Sequence, residues 1–119
     1  ILKNGGTLIL AAECREGIPS KSPLDKLLRS ETSIEEVLKK ISAPEFSQPE
    51  QWQAQIQALI QRKSNVFVHS MLDDKTISSC HLNPCKNISA EVVKQLNKFG
   101  NKAQVAVLPQ GPLTIPFLN

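Results

Sequence analysis

Side chains that can do chemistry are sparse in this sequence, so each is weighed in turn. Cys80-His81 and Cys85, with Cys14 far upstream, supply thiolate and imidazole, the ligand types zinc takes. Their spacing is Cys-x4-Cys with no second tight pair, whereas structural zinc sites show two. These residues are therefore assigned to packing, and no metal site is assigned. His69 stands beside Ser70 at the end of an apolar run, where an imidazole can act as an acid or base. No nucleophile–base pair is legible around it, and it is read as a satisfied residue at a strand's rim. Asp73-Asp74 offers oxygen ligands for a cation. With Lys75 next to it, the pair reads as a solvated turn. Asn87-Ile88-Ser89 matches a glycosylation acceptor but, without secretory features, reads as a helix cap. Gly5-Gly6 lacks the rest of a dinucleotide fingerprint and precedes its strand, which removes nucleotide binding by that route. Trp52, the sole tryptophan, falls in the first turn of a helix, near free N–H groups and the positive end of the dipole. Its bulk alone suits core or interface packing. No residue is assigned a catalytic role.

The elements that must position these groups follow from the apolar pattern. Thr7-Leu8-Ile9-Leu10-Ala11-Ala12 is a continuous apolar run after a turn and predicts a strand covered on both faces. Asn65-Val66-Phe67-Val68-His69-Ser70 predicts a second strand and Gln104-Val105-Ala106-Val107-Leu108-Pro109 a third. The segment from Thr76 to Leu82 reads as a short strand or an irregular connection. Between the strands lie helices. Leu24 to Leu28 forms a short one. Ser33 and Glu36 make a capping box ahead of Ile34, Val37, Leu38 and Ile41 at helical spacing, and Pro44 stops that helix. Ser47-Gln48-Pro49-Glu50 reads as a second capping box. In the helix it opens, Trp52, Ile56, Leu59 and Ile60 line one face and Gln53, Gln55, Gln57 and Gln61 the other. Ser89 is expected to cap a last helix with Val92, Val93, Leu96 and Phe99 inward and Gly100 as its left-handed C-cap. An apolar tail runs from Leu113 to Leu118. Helices alternating with buried strands predict an α/β domain: three layers, Rossmann-like, with a mostly parallel sheet. The loop from Glu13 to Ser20 then sits at a strand's carboxyl end, where ligands bind such sheets.

Bulk properties bound the alternatives. The 119 residues, 40% of them hydrophobic, suit one domain with one core. The chain starts at Ile1 and its only methionine is Met71, so further sequence is expected to precede Ile1. No apolar run reaches the roughly 20 residues that cross a bilayer, and no signal-peptide layout is present, so no membrane partner is expected. The 14 basic and 11 acidic residues are interspersed, and four Phe and one Trp are the only aromatics. That excludes the basic, aromatic-studded surface of a nucleic-acid binder. An odd count of cysteines disfavours a disulfide framework and points to reduced thiols in the cytoplasm.

Three strings together resemble a known family. They are Gly5-Gly6-Thr7-Leu8-Ile9-Leu10-Ala11-Ala12-Glu13-Cys14-Arg15-Glu16-Gly17-Ile18, Gln51-Trp52-Gln53-Ala54-Gln55, and Val107-Leu108-Pro109-Gln110-Gly111-Pro112-Leu113-Thr114-Ile115-Pro116. In order and spacing they look like the C-terminal domain of the nickel-dependent lactate racemases. The resemblance implies a racemase or epimerase of 2-hydroxy acids, with its active site between two α/β domains. It also implies a nickel-pincer pyridinium mononucleotide in the full-length protein, with its lysine tether, nickel-binding histidine and proton-exchanging histidines upstream of this chain. A substrate-facing Tyr-Gln-x-x-Lys motif of the family is absent here and belongs upstream as well. His69 and His81 match no catalytic histidine of the family, whereas the tryptophan near the substrate matches Trp52. Trp52 is accordingly the one substrate-binding candidate, and the upstream domain and a small 2-hydroxy acid are the expected partners. Residues 1–119 would then be a single α/β domain, the C-terminal domain of a longer two-domain protein, and would form one wall of the cleft. The competing expectation is a non-catalytic Rossmann-like module used for binding or assembly.

Overall fold

The computed structural model describes residues 2–117. Gly5 takes the left-handed backbone at φ 78°, and a Cβ on Gly6 would sit 2.9 Å from the Lys3 carbonyl oxygen. This tight turn feeds β1 (Gly6–Ala11), which pairs in parallel with β2 (Ser64–His69) from Gly6 opposite Ser64 to Ala11 opposite His69. β2 pairs in parallel with a two-residue strand, β3 (Asn83–Pro84), and the sheet order is β1-β2-β3.

Among the described residues five α-helices flank the sheet: α1 (Pro23–Leu28), α2 (Ile34–Ile41), α3 (Gln51–Gln61), α4 (Asp74–Ser78) and α5 (Ile88–Phe99). The crossovers from β1 to β2 and from β2 to β3 run in one direction, so their right-handedness puts α1 to α4 on one face. α5 lies on the other, where the Thr7 hydroxyl donates to Oε1 of Gln95 at 2.9 Å. The result is the expected three-layer α/β arrangement with a parallel sheet. The main core is helical: Leu27, Val37, Ile41, Ala54, Ala58 and Cys80 are buried together, with Phe46 and Leu82 packed against them. Among the described residues no helix is long and apolar enough to cross a membrane.

Local chemistry sets the helix ends. The Ser33 hydroxyl accepts from Glu36 N–H, and the Glu36 carboxylate reaches back to the N–H and hydroxyl of Thr32, one residue before the expected partner. Gly100 closes α5 at φ 70°.

Several expectations are corrected. The run from Gln104 to Pro109 is not a strand; it is irregular and exposed, with Val107 78% accessible. The third strand is Asn83–Pro84, too short and too polar to show in an apolar pattern. Residues 76–78 are the end of α4, which Asp73 caps through the Thr76 N–H, and only residues 79–82 form the irregular connection. α5 is capped by Asn87 accepting from Ala90 N–H, two residues before the expected Ser89. Val93, Leu96 and Phe99 on α5 are exposed rather than inward, since little of the sheet extends beneath that helix. Ser47 to Glu50 is not a capping box: Glu50 is the N-cap, in the left-handed region at φ 64°, without a side-chain cap bond. Leu118, the end of the apolar tail, lies outside the described residues.

α3 presents the opposite face from the one its apolar pattern would bury. Ala54 and Ala58 are fully buried, while Trp52, Ile56, Leu59 and Ile60 face out. The glutamines on the inner side have a use. Gln57 Nε2 donates to the Cys80 carbonyl at 2.7 Å, and Gln61 Nε2 donates to the His81 carbonyl. They satisfy the backbone of the turn that follows α4, which has no helical partner of its own.

Candidate functional site

The carboxyl edge of the sheet gathers the polar groups. β1 continues past its end, with Ala12 N–H donating to the His69 carbonyl at 3.0 Å and Met71 N–H to the Glu13 carbonyl at 3.1 Å. The loop after β1 then folds sharply. Cys14, Gly17 and Lys21 take positive φ, and Gly17 N–H closes a turn onto the Cys14 carbonyl at 2.9 Å. Arg15 and Glu13 pair at 2.9 Å, both well exposed. An open cleft of about 420 Å³ is lined by Ala11, Ala12, Glu13, His69, Ser70 and Met71. A second recess of about 270 Å³, lined by His69, Leu72, Asp74, Ile77, Cys85 and Lys86 among others, adjoins it through His69 and Ser70.

His69 is half-buried between the two, with Nδ1 2.7 Å from the Cys85 carbonyl oxygen. A carbonyl only accepts, so Nδ1 carries a proton and donates it to this bond. His81 is the reverse: its Nε2 donates to the Leu28 carbonyl at 2.7 Å, and it ties the turn after α4 to α1.

Trp52 belongs to this same edge. α3 runs back toward the amino end of β2 and enters it through Arg62 and Lys63. Its 11 residues rise about 16 Å, and the six residues of β2 return about 20 Å, so the first turn of α3 stands level with the strand ends. The backbone there is pinned from both sides. The Glu50 carboxylate accepts from Leu24 N–H at 2.9 Å, and Gln51 Oε1 accepts from Gln48 N–H at 2.8 Å. The indole itself is 59% exposed.

The other candidates are accounted for structurally. Asp73 is a helix cap and Asp74 pairs with Lys86 at 2.9 Å. Cys14, Cys80 and Cys85 are free, and burial pushes the Cys80 and Cys85 thiols up. No group of His, Cys, Asp or Glu among the described residues is arranged to hold a metal ion. Neither the bond that orients His69 through Nδ1 nor the one between Glu50 and α1 was legible in the sequence; both depend on carbonyls and amides that fold in from distant positions.

A parallel three-layer domain with an open cleft at the carboxyl edge of its sheet is an α/β domain of the Rossmann-like kind. The chain belongs to the lactate racemase C-terminal domain family, whose pattern matches residues 1–115. It is 31% identical to the lactate racemase of Lactiplantibacillus plantarum over 111 residues, covering 92% of this chain and 26% of that protein. The lactate racemase apoprotein from Thermoanaerobacterium thermosaccharolyticum shares the fold, with a TM-score of 0.80 and 24% identity over 95% of this chain and 28% of that one. This chain thus spans about a quarter of the length of these relatives.

Proposed function

We propose that this chain is one wall of the active-site cleft in a racemase or epimerase of 2-hydroxy acids, the other wall being an upstream domain of the same polypeptide. Trp52 and the loop from Glu13 to Ser20 face the substrate. The observation that carries this reading is the position of Trp52. A lone tryptophan is held on a pinned helix end, at the carboxyl edge of a parallel sheet, with its indole left in solvent. A packed aromatic would be buried. Arg15 on the neighbouring loop adds a guanidinium suited to a carboxylate.

The family's nickel-pincer pyridinium mononucleotide finds no donor set here. The described residues contain no converging ligand group, and each imidazole commits one nitrogen to a backbone carbonyl. The metal and the proton-exchanging groups therefore belong to the upstream domain in this reading. What this wall contributes is shape, exclusion of water and a flat apolar surface beside the reacting carbon.

The test uses the full polypeptide. Trp52→Ala is expected to lower kcat/KM for its 2-hydroxy acid by 10-fold or more, about 1.4 kcal/mol of transition-state binding, with Trp52→Phe recovering part of the loss. Unchanged kinetics in both variants would remove Trp52 from the site. Residues 1–119 alone are expected to show no racemisation of lactate, because a proton-transfer step needs bases within hydrogen-bond reach of the substrate. Turnover by the domain alone would sink the reading.

A further inference from the structure

Glu50 is an ill-suited residue for the helix it opens. A helix start ordinarily has extended backbone and a short side chain, Ser, Thr, Asp or Asn, that caps its own first turn. Glu50 stands there in the left-handed region at φ 64°, and its side chain makes no capping bond to α3. That backbone suits glycine or asparagine and disfavours a longer side chain. Such strain persists only where the surroundings impose it, and it gathers at functional sites. Among the described residues the other non-glycine positions with positive φ are Cys14, Lys21 and His81. Cys14 lies in the loop from Glu13 to Ser20, and Lys21 directly follows it.

The Glu50 side chain works on a different helix. Its carboxylate takes the Leu24 N–H in the first turn of α1, 26 residues back in the chain. The neighbouring donors there are already placed: Pro23 has none, and the Ser22 hydroxyl takes the Asp25 N–H at 3.0 Å. Glu50 therefore satisfies the first-turn N–H of α1 that no carbonyl of its own helix can reach. Gln48 Nε2 donates to the Pro23 carbonyl at 3.5 Å alongside it. α1 is tied in turn to the loop, since Ser22 N–H donates to the Pro19 carbonyl at 3.0 Å and Lys21 N–H to the Asp25 carboxylate at 3.3 Å. On its other side the Glu50 carbonyl accepts from Gln53 N–H at 3.0 Å, closing a turn around Gln51 and Trp52. A continuous run of bonds thus links the loop, α1, Glu50 and the backbone that carries the indole.

We infer that Glu50 is a positioning residue of the cleft: by bridging the first turn of α3 to the first turn of α1, it sets Trp52 and the loop from Glu13 to Ser20 as one rigid surface. A side chain of this length is needed to span the two helix starts, and the left-handed backbone aims it across the gap. The bond holds the indole without touching it, so the surface of Trp52 stays open for the substrate. The inference deepens the cleft reading and rests on it.

Variants of the full polypeptide test it. Glu50→Gly and Glu50→Asn both accept the left-handed backbone and are too short to reach Leu24, so their thermal midpoints are expected to stay within about 4 °C of wild type. With L-lactate as the probe, each is expected to lower kcat/KM by about 5-fold or more. In a Trp52→Ala background the same changes are expected to cost less than about 2-fold, because the side chain they position is gone. Glu50→Gln, whose amide oxygen can still accept from the Leu24 N–H, is expected to stay within about 2-fold of wild type. A readout apart from turnover comes from labelling with 5-fluorotryptophan, the Trp52 fluorine resonance being the one lost in Trp52→Phe. It is expected to be a single line in wild type and Glu50→Gln, and to shift or broaden in Glu50→Gly. An unmoved resonance, or equal kinetic losses in both backgrounds, overturns the inference. So does a midpoint that drops by about 10 °C or more in both short variants, which would make Glu50 a strut of the fold alone. Turnover damaged by Trp52→Ala but not by Glu50→Gly sinks this inference and leaves the cleft reading standing. A silent Trp52→Ala sinks the cleft reading and this inference with it.

Discussion

Trp52 shows how a residue's surroundings decide its meaning. The sequence offered a large aromatic in a first helical turn, equally suited to a core and a cleft. The fold sends it outward because Ala54 and Ala58, not the large residues, meet α1 and α2. In the 119-residue chain Trp52→Ala is therefore expected to change stability by less than about 1 kcal/mol, and the wild-type indole to emit red-shifted light that iodide quenches. A loss of about 3–5 kcal/mol, the cost of deleting a buried tryptophan, would return the side chain to the core. The ionisable residues set the pH limits. Asp25 is held below its usual range chiefly by the hydrogen bond from Arg29, and Asp73 by the Thr76 N–H and hydroxyl. A lowered folded-state pKa gives stability that is present above the unfolded carboxylate range and lost as pH falls through the folded values. Cys80 and Cys85 are raised by burial, so their contribution is complete below the unfolded thiol range and is lost as pH rises through their folded values. Denaturant melts against pH are expected to fall off below about pH 4 and again above about pH 9. Asp25→Asn is expected to shrink the acid fall-off, and an unchanged acid limb would remove Asp25 as its source.

At the scale of elements, what was legible in the sequence was what local rules determine. The apolar runs over residues 7–12 and 65–70 gave β1 and β2, and the Ser33–Glu36 pair gave the start of α2. The quoted strings around Gly5, Trp52 and Pro109 carried the family. The rest depends on partners. The run over 104–109 has strand composition, but a strand needs a neighbour to bond, and none stands beside it among the described residues. β3 is two residues long and includes a proline, so no alternation could reveal it. The reversal of α3 was hidden because glutamine counts as polar wherever it points, while Gln57 and Gln61 spend their amides on buried carbonyls. That reversal is testable. Ala58→Leu places three more carbons where there is no room and is expected to cost about 1–3 kcal/mol or more. Leu59→Ala, the next residue, is expected to cost under about 1 kcal/mol. The opposite ranking in denaturant melts would mean α3 is turned the other way.

For the whole molecule, the core and the sheet differ in how far along the chain their parts lie. Apart from Cys80, the buried helical core comes from Leu27 to Ala58, three consecutive helices joined by short turns. The sheet instead joins Gly6 to Ser64. Closing a short loop is fast and closing a long one is slower. The helical cluster is thus the natural nucleus, and the strands zip together only after it has brought their ends near. Val37→Ala is expected to slow folding with a φ-value near 0.5–0.8, and Val66→Ala chiefly to speed unfolding with a φ-value near 0–0.3. Stopped-flow measurements that reverse these values would place the first contacts in the sheet. A consequence for the protein's life follows from the same geometry. Unfolding in the reverse order would begin by parting β1 from β2 and open the carboxyl edge, with its cleft and loop, while the helical cluster still stands. On warming, the amides of this edge are expected to lose their exchange protection before the helical circular-dichroism signal falls.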